Sequence, residues 1–139
     1  MTVHLLKTAV GCDDAEALAA RQAARRLVVD GRPVVLGYTR RKPRRVEEVV
    51  DGGSIYWIIR RAIRARQRIV DLVDAVDADG EAYCQMHLDP ELIPTEAAPR
   101  KPIQGWRYLV PEDAPRDRGD DVGDLPPEMA EELRALGLI

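Results

Sequence analysis

Ten basic residues and three acidic ones fall between Arg40 and Arg68, a local charge of +7 in a chain whose formal net charge is −3. Arg40, Arg41, Lys42, Arg44 and Arg45 place five cations within six residues, and Arg60, Arg61, Arg64, Arg66 and Arg68 form a second group. Like charges this close favour an anionic ligand unless acids from elsewhere neutralise them. Arginine forks match phosphate oxygens in two-point geometry. Aromatic residues are scarce, and Tyr38, Tyr56, Trp57, Trp106 and Tyr108 all fall in predicted strands near basic residues. Rings that stack on bases beside arginines that hold phosphates are the means by which single-stranded RNA or a flipped base is gripped. Gln67 and Gln104 can both donate and accept, as reading a base edge requires. The candidate nucleic-acid-binding set is therefore the first basic group with Trp57, Arg66, Gln67, Arg68, Gln104, Trp106 and Arg107. The plainer reading pairs the basic loop with the acidic stretch from Asp117 to Asp124, and puts at least one of the adjacent Tyr56 and Trp57 in the core.

Other chemistry has little support. His4 and His87 lack the spacing of a metal pair, and Ser54 follows Gly52-Gly53 without the GxSxG pattern of a nucleophile elbow. Lys7 and Thr8, or Thr39 and Lys42, could join Glu47 or Glu91 in a small hydrolytic site. Asp71, Asp74, Asp77 and Asp79 do not follow the calcium-loop pattern. Cys12 and Cys84 are too few for a disulfide framework and are expected reduced. No catalytic residue, metal or cofactor is assigned.

These residues need a scaffold. The alternation of Val3–Val10 predicts a first strand, and Asp13 or Asp14 caps a helix running to about Val29, stopped by Asp30-Gly31-Arg32-Pro33. Pro33–Arg40 reads as a second strand, and residues 46–50 as one or two helical turns before the Gly52-Gly53 turn. Ser54–Arg61 reads as a buried central strand, although Ile55, Ile58, Ile59, Ala62 and Ile63 also fit a helix. Asp79-Gly80 marks a hairpin between two long antiparallel strands. Asp89–Pro94 leaves the sheet, and Ile103–Val110 supplies a last strand. The result is an α+β fold: a small mixed or antiparallel sheet curled into a partly open barrel, with one helix after the first strand. Residues 1–111 form one domain, and residues 112–139 are an acidic Pro/Gly-rich segment with a short C-terminal helix over residues 128–136.

The 139 residues suit one domain, and 45 % apolar against 32 % charged residues is a globular composition. No signal peptide is apparent, and no run approaches the roughly 20 apolar residues of a membrane span. A cytoplasmic protein without membrane contact is the expectation.

The blocks DGGSIYWIIRRAIRARQRI (Asp51–Ile69), LDPELIPTEAAPRKP (Leu88–Pro102) and QGWRYLVPEDAPRD (Gln104–Asp117) resemble a bacterial family, the domain of unknown function 1489. The likeness spans nearly the whole chain and implies no activity. Where it implies Trp-Val-Ile-Lys-Gly, this chain has Trp57–Arg61 as WIIRR. At the level of fold, the order of elements is similar to the PUA-like superfamily with its ASCH and EVE branches. That likeness implies binding of RNA or modified nucleobases, or in a few small members hydrolysis of modified nucleosides. The leading expectation is a non-catalytic RNA- or nucleotide-binding domain using the basic loop and an aromatic pocket. The alternatives are an ASCH-like hydrolase, an interaction or oligomerisation module built on Ile55–Ile59 or Tyr83–Leu88, and self-neutralisation by residues 112–124.

Overall fold

The structure, a computed structural model, describes residues 1–118. The C-terminal helix expected over residues 128–136 lies outside them. The elements run β1 (His4–Thr8), α1 (Ala15–Ala23), β2 (Arg26–Val29), β3 (Arg32–Thr39), α2 (Val46–Val50), β4 (Ser54–Ile59), β5 (Ala62–Val76), β6 (Ala82–Leu88), β7 (Ile93–Pro99) and β8 (Trp106–Leu109). The fold is α+β and mostly sheet. Eight strands join in the order β2-β3-β6-β5-β4-β1-β8, with β7 also on β5, and the sheet does not close.

β5 holds the architecture together. Its first half pairs with β4 and β7, its second half with β6, and the register shifts between Ile69 and Asp71 where the partners change. A bulge bends a strand, so β1, β4, β7 and β8 form one wing and β2, β3 and β6 the other. Leu5, Ile55, Trp57, Ile59 and Trp106 from the first wing meet Val35, Met86 and Leu88 from the second in the main core. A smaller cluster of Leu6, Tyr56, Ile58, Ile63 and Leu109 covers the back of the first wing. β1 and β4 pair in parallel, and the other strand pairs are antiparallel.

Two stretches depart from the sequence reading. The first helix ends at Ala23, because Asp30-Gly31 is a hairpin turn with both residues at positive φ (50° and 79°) rather than a helix stop. It folds Arg26–Val29 back along β3, where β-branched side chains fit better than in a helix. Of the stretch Asp89–Pro94, expected to leave the sheet, Ile93 and Pro94 instead begin β7. Its prolines, Pro94 and Pro99, are tolerated because β5 is its one strand partner and the other side carries only a short bridge at Thr95, in which Pro94 takes part through its carbonyl.

The strand reading of residues 54–59 holds, and all six are buried. Arg60 and Arg61 then make the two-residue turn into β5 at φ 52° and 62°. Residues other than Gly, Asn and Asp are uncommon in that region, and each costs about 1 kcal/mol or more there. Both faces expected to serve as interaction surfaces are largely internal, since Ile55–Ile59 and Cys84, Met86, His87 and Leu88 are buried.

The described part of the acidic segment is pinned. Thr95 bridges to Asp117, and the amides of Glu96 and Arg118 donate to the carbonyls of Arg116 and Pro94. The Arg66 guanidinium grips both Asp117 oxygens at 2.7 Å through Nε and Nη2, while its Nη1 donates to Ser54 Oγ at 3.0 Å. This hydrogen bonding holds the Asp117 carboxyl below the ordinary carboxylate range. A carboxyl whose pKa falls on folding stabilises above its unfolded pKa, and that stability disappears as pH drops through the folded value. Asp117→Asn is therefore expected to cost about 2 kcal/mol at neutral pH. Urea titrations at neutral and acidic pH should converge for the two proteins below the carboxylate range; a variant equal to wild type at neutral pH would refute the clamp.

Candidate functional site

The loop after β3 does not gather its cations into one free patch. Arg40 pairs with Asp77 at 3.1 Å, Lys42 with Asp74 at 3.2 Å, and Arg45 with Glu48 through Nε and Nη2. Neutralisation thus comes from the β5–β6 hairpin and α2. Asp117 serves Arg66 instead of this loop. Arg41 and Arg44 make no ion pair with a described residue. The Arg41 guanidinium lies 4.3 Å from the Trp106 ring centroid, and Trp106 Nε1 donates to the Arg41 carbonyl at 2.6 Å. Trp106 is buried, with Tyr108 edge-on at 4.8 Å. Arg41, Lys42, Arg44, Trp106 and Tyr108 line a hollow of about 250 Å³.

Gln67 is fully buried and its amide is completely satisfied. Its Oε1 accepts from Gln22 Nε2 (2.8 Å) and Trp57 Nε1 (3.1 Å), while its Nε2 donates to Gln22 Oε1 (2.8 Å) and the Asp89 carbonyl (2.7 Å). No donor or acceptor is left for a base edge, so Gln67 orients Trp57 instead of reading a ligand. Arg66 and Arg107 share a register row with Tyr56 and Leu6. Alternation puts that row on the opposite face from Trp57 and Trp106. Arg68 donates to the Val50 carbonyl at 3.0 Å and has its Nε buried without a partner. Gln104 is exposed, one residue before Gly105 in the turn into β8. The twelve predicted residues therefore do not converge on one groove.

A different site does assemble. Lys7 stands opposite Trp57 on one side and Trp106 on the other in the β4-β1-β8 register. Beyond it α1 crosses the sheet and leaves a cleft of about 180 Å³ whose lining includes Lys7, Arg21, Gln22, Arg25, Tyr38 and Trp57. Among the described residues, no carboxylate lines this cleft. None of its three cations makes an ion pair with a described residue. Burial lowers the Lys7 ammonium below the usual lysine pKa. Arg25 reaches over the ring of Tyr38, 5.3 Å to the centroid, and that tyrosine is 43 % exposed at the rim. Asp14 fixes α1 by accepting from the Ala17 amide at 2.8 Å.

Sequence reading noticed Lys7 and Tyr38 but did not join them to Arg21 on α1 and Arg25 just past its end, whose positions depend on tertiary packing. The hydrolytic grouping is not assembled among the described residues. Lys7 and Thr8 line the cleft without Glu47 or Glu91, and Thr8 Oγ1 is occupied in accepting from the Ile103 amide at 2.9 Å. No group of three metal-ligating side chains occurs among the described residues. None of their helices is long and apolar enough to cross a membrane.

The family model described as "Protein of unknown function (DUF1489)" matches residues 5–139. The chain belongs to that family. Searches of the curated proteins and of the solved structures find no match for this DUF1489 member. The cleft and the basic loop of the DUF1489 chain must therefore be interpreted from their own chemistry.

Proposed function

We propose that this DUF1489 protein is a non-catalytic nucleotide-binding domain of PUA-like architecture, with RNA among the ligands it fits. The observation that carries the reading is the cleft beneath α1: three cations, no lining carboxylate among the described residues, and an accessible tyrosine ring beside a buried indole. Lys7, Arg21 and Arg25 suit phosphate oxygens, and Tyr38 offers a face for a base. The polar floor is built in advance, because Gln67 and Gln22 fix the Trp57 indole before any ligand arrives.

Calorimetric titration with 5′-mononucleotides tests this directly. Lys7→Met and Arg21→Ala should each weaken binding roughly tenfold or more, the scale of one charge-assisted hydrogen bond. Because burial lowers the Lys7 pKa, phosphate affinity should fall as pH rises through that lowered value. The fall should be absent in Lys7→Met, since the arginines remain charged throughout. Equal affinity of wild type and both variants would dispose of the cleft as the ligand site.

A further inference from the structure

The second arginine group also divides, and one part of it forms a cationic tip. Arg60 and Arg61 are exposed in the β4–β5 turn, both at positive φ. Asn-Gly is the ordinary occupant of such a turn, so two arginines here leave the local conformation less favourable than it could be. Arg64 braces the turn by donating to the Ile59 carbonyl at 2.7 Å and the Arg60 carbonyl at 3.3 Å. β7 ends alongside, with Ala62 opposite Pro99 and the Arg100 amide donating to the Arg61 carbonyl at 2.9 Å. Arg100 and Lys101, both exposed, thereby join the turn. None of these five cations makes an ion pair with a described residue, in contrast to Arg40, Lys42 and Arg45 in the loop.

The tip lies at the same end of the sheet as the cleft. Thr8 pairs with Ile58, the Ala9 amide donates to the Ile58 carbonyl at 3.0 Å, and β4 reaches Arg60 two residues later. The Ile103 amide on Thr8 Oγ1 draws the segment after Lys101 to that same end. Strand β1 thus delivers Lys7 into the cleft at the end of the sheet where these arginines stand. A single nucleotide in the cleft would leave them unused. A phosphodiester chain leaving the cleft would run onto them.

We infer that the tip formed by Arg60, Arg61, Arg64, Arg100 and Lys101 is a phosphate-backbone subsite, and that the ligand is a single-stranded polynucleotide. The inference rests on the nucleotide reading of the cleft, which admits a base only when it is unpaired. The tip has no aromatic residue among these five, so it contributes affinity and salt dependence without sequence preference.

Fluorescence anisotropy with labelled 12-nucleotide single strands of mixed sequence, one RNA and one DNA, tests the tip in the full chain. Calorimetry with mononucleotides runs beside it. Arg60→Asn with Arg61→Gly, and separately Arg100→Ala with Lys101→Ala, should weaken both 12-mers by roughly tenfold or more. The dependence of log affinity on log salt should lessen by about 0.7 for each phosphate that the variant no longer neutralises. Mononucleotide affinity should stay unchanged. The Asn-Gly variant should melt at a higher temperature than wild type, which separates weakened binding from weakened folding. RNA and DNA bound alike point to phosphates alone, and tighter RNA to an added 2′-hydroxyl interaction; both support the subsite. Tip variants with wild-type 12-mer affinity and salt slope would overturn it while leaving mononucleotide binding in the cleft intact. Tip-dependent 12-mers without mononucleotide binding would instead overturn the cleft and keep the tip. Failure of wild type to bind either 12-mer overturns the inference outright.

Discussion

Gln67→Leu destabilises the protein by about 3 to 5 kcal/mol, the largest effect expected of any conservative change in size here. Leucine fills much of the same space, but it strands the Trp57 indole N–H, the Gln22 amide and the Asp89 carbonyl, all of which now meet at the Gln67 amide. Each unsatisfied buried polar group costs about 1–3 kcal/mol. Some of that is recovered where water reaches Gln22, which is 6 % exposed. Urea denaturation of Gln67→Leu and of the double variant Gln22→Leu/Gln67→Leu checks the origin of the effect. If the orphaned Gln22 amide is an important part of the loss, the double variant should be less destabilised than the sum of the two single changes. A single-variant loss below about 1 kcal/mol would contradict the network.

Gly53→Ala should be nearly as damaging. A Cβ at this position would fall against the carbonyl oxygens of Val49 and Val3, the latter at 2.5 Å. Both obstacles are backbone, so no side chain can swing aside. The Gly53 amide donates to the Val49 carbonyl at 2.9 Å, and its own carbonyl accepts from the Ile69 amide at 3.0 Å, tying α2 to the entrance of β4 and the middle of β5. Forcing these apart costs roughly 3 kcal/mol by the measure of overpacked cores. Gly52→Ala, at φ 83° but with its nearest side-chain atom 3.5 Å away, acts only through backbone strain and should cost less. Thermal melts of the two variants side by side separate crowding from strain; equal losses would refute the packing argument.

Most of the scaffold could be read from local signals. The Asp14 cap, the alternation of β1, the apolar run of β4 and the Asp79-Gly80 turn are each set by a few neighbouring residues. Those that misled were ones in which tertiary pairing outweighs local preference. Asp30-Gly31 can stop a helix or turn a hairpin, and β3 decides between them. Pro90 and Pro94 suggest that Asp89–Pro94 leaves the sheet, until β5 offers an edge to Ile93 and Pro94. The Arg60-Arg61 turn contains no turn-forming residue, so neither its position nor the full length of β5 is visible beforehand.

The site was harder to read for a related reason. Charge density along the chain marked Arg40–Arg45 correctly as cationic, but Asp74, Asp77 and Glu48 reach it from β5, the β5–β6 hairpin and α2. Unneutralised charge in the fold depends on where carboxylates land. By that measure the cations without an ion pair to a described residue include Arg41 and Arg44 in the loop itself, Lys7, Arg21 and Arg25 at the cleft, and those at the β4–β5 turn.

The placement of Lys7 between two indoles has a practical corollary. Trp57 and Trp106 are the chain's two tryptophans, and both lie in strands flanking β1 at one level of the sheet. Indole emission from the native protein consequently originates wholly at that end. Through Trp57 its colour and quenching amount to a label-free optical gauge of whatever enters beneath α1, while Trp106 reports on the hollow beside Arg41 and Arg44.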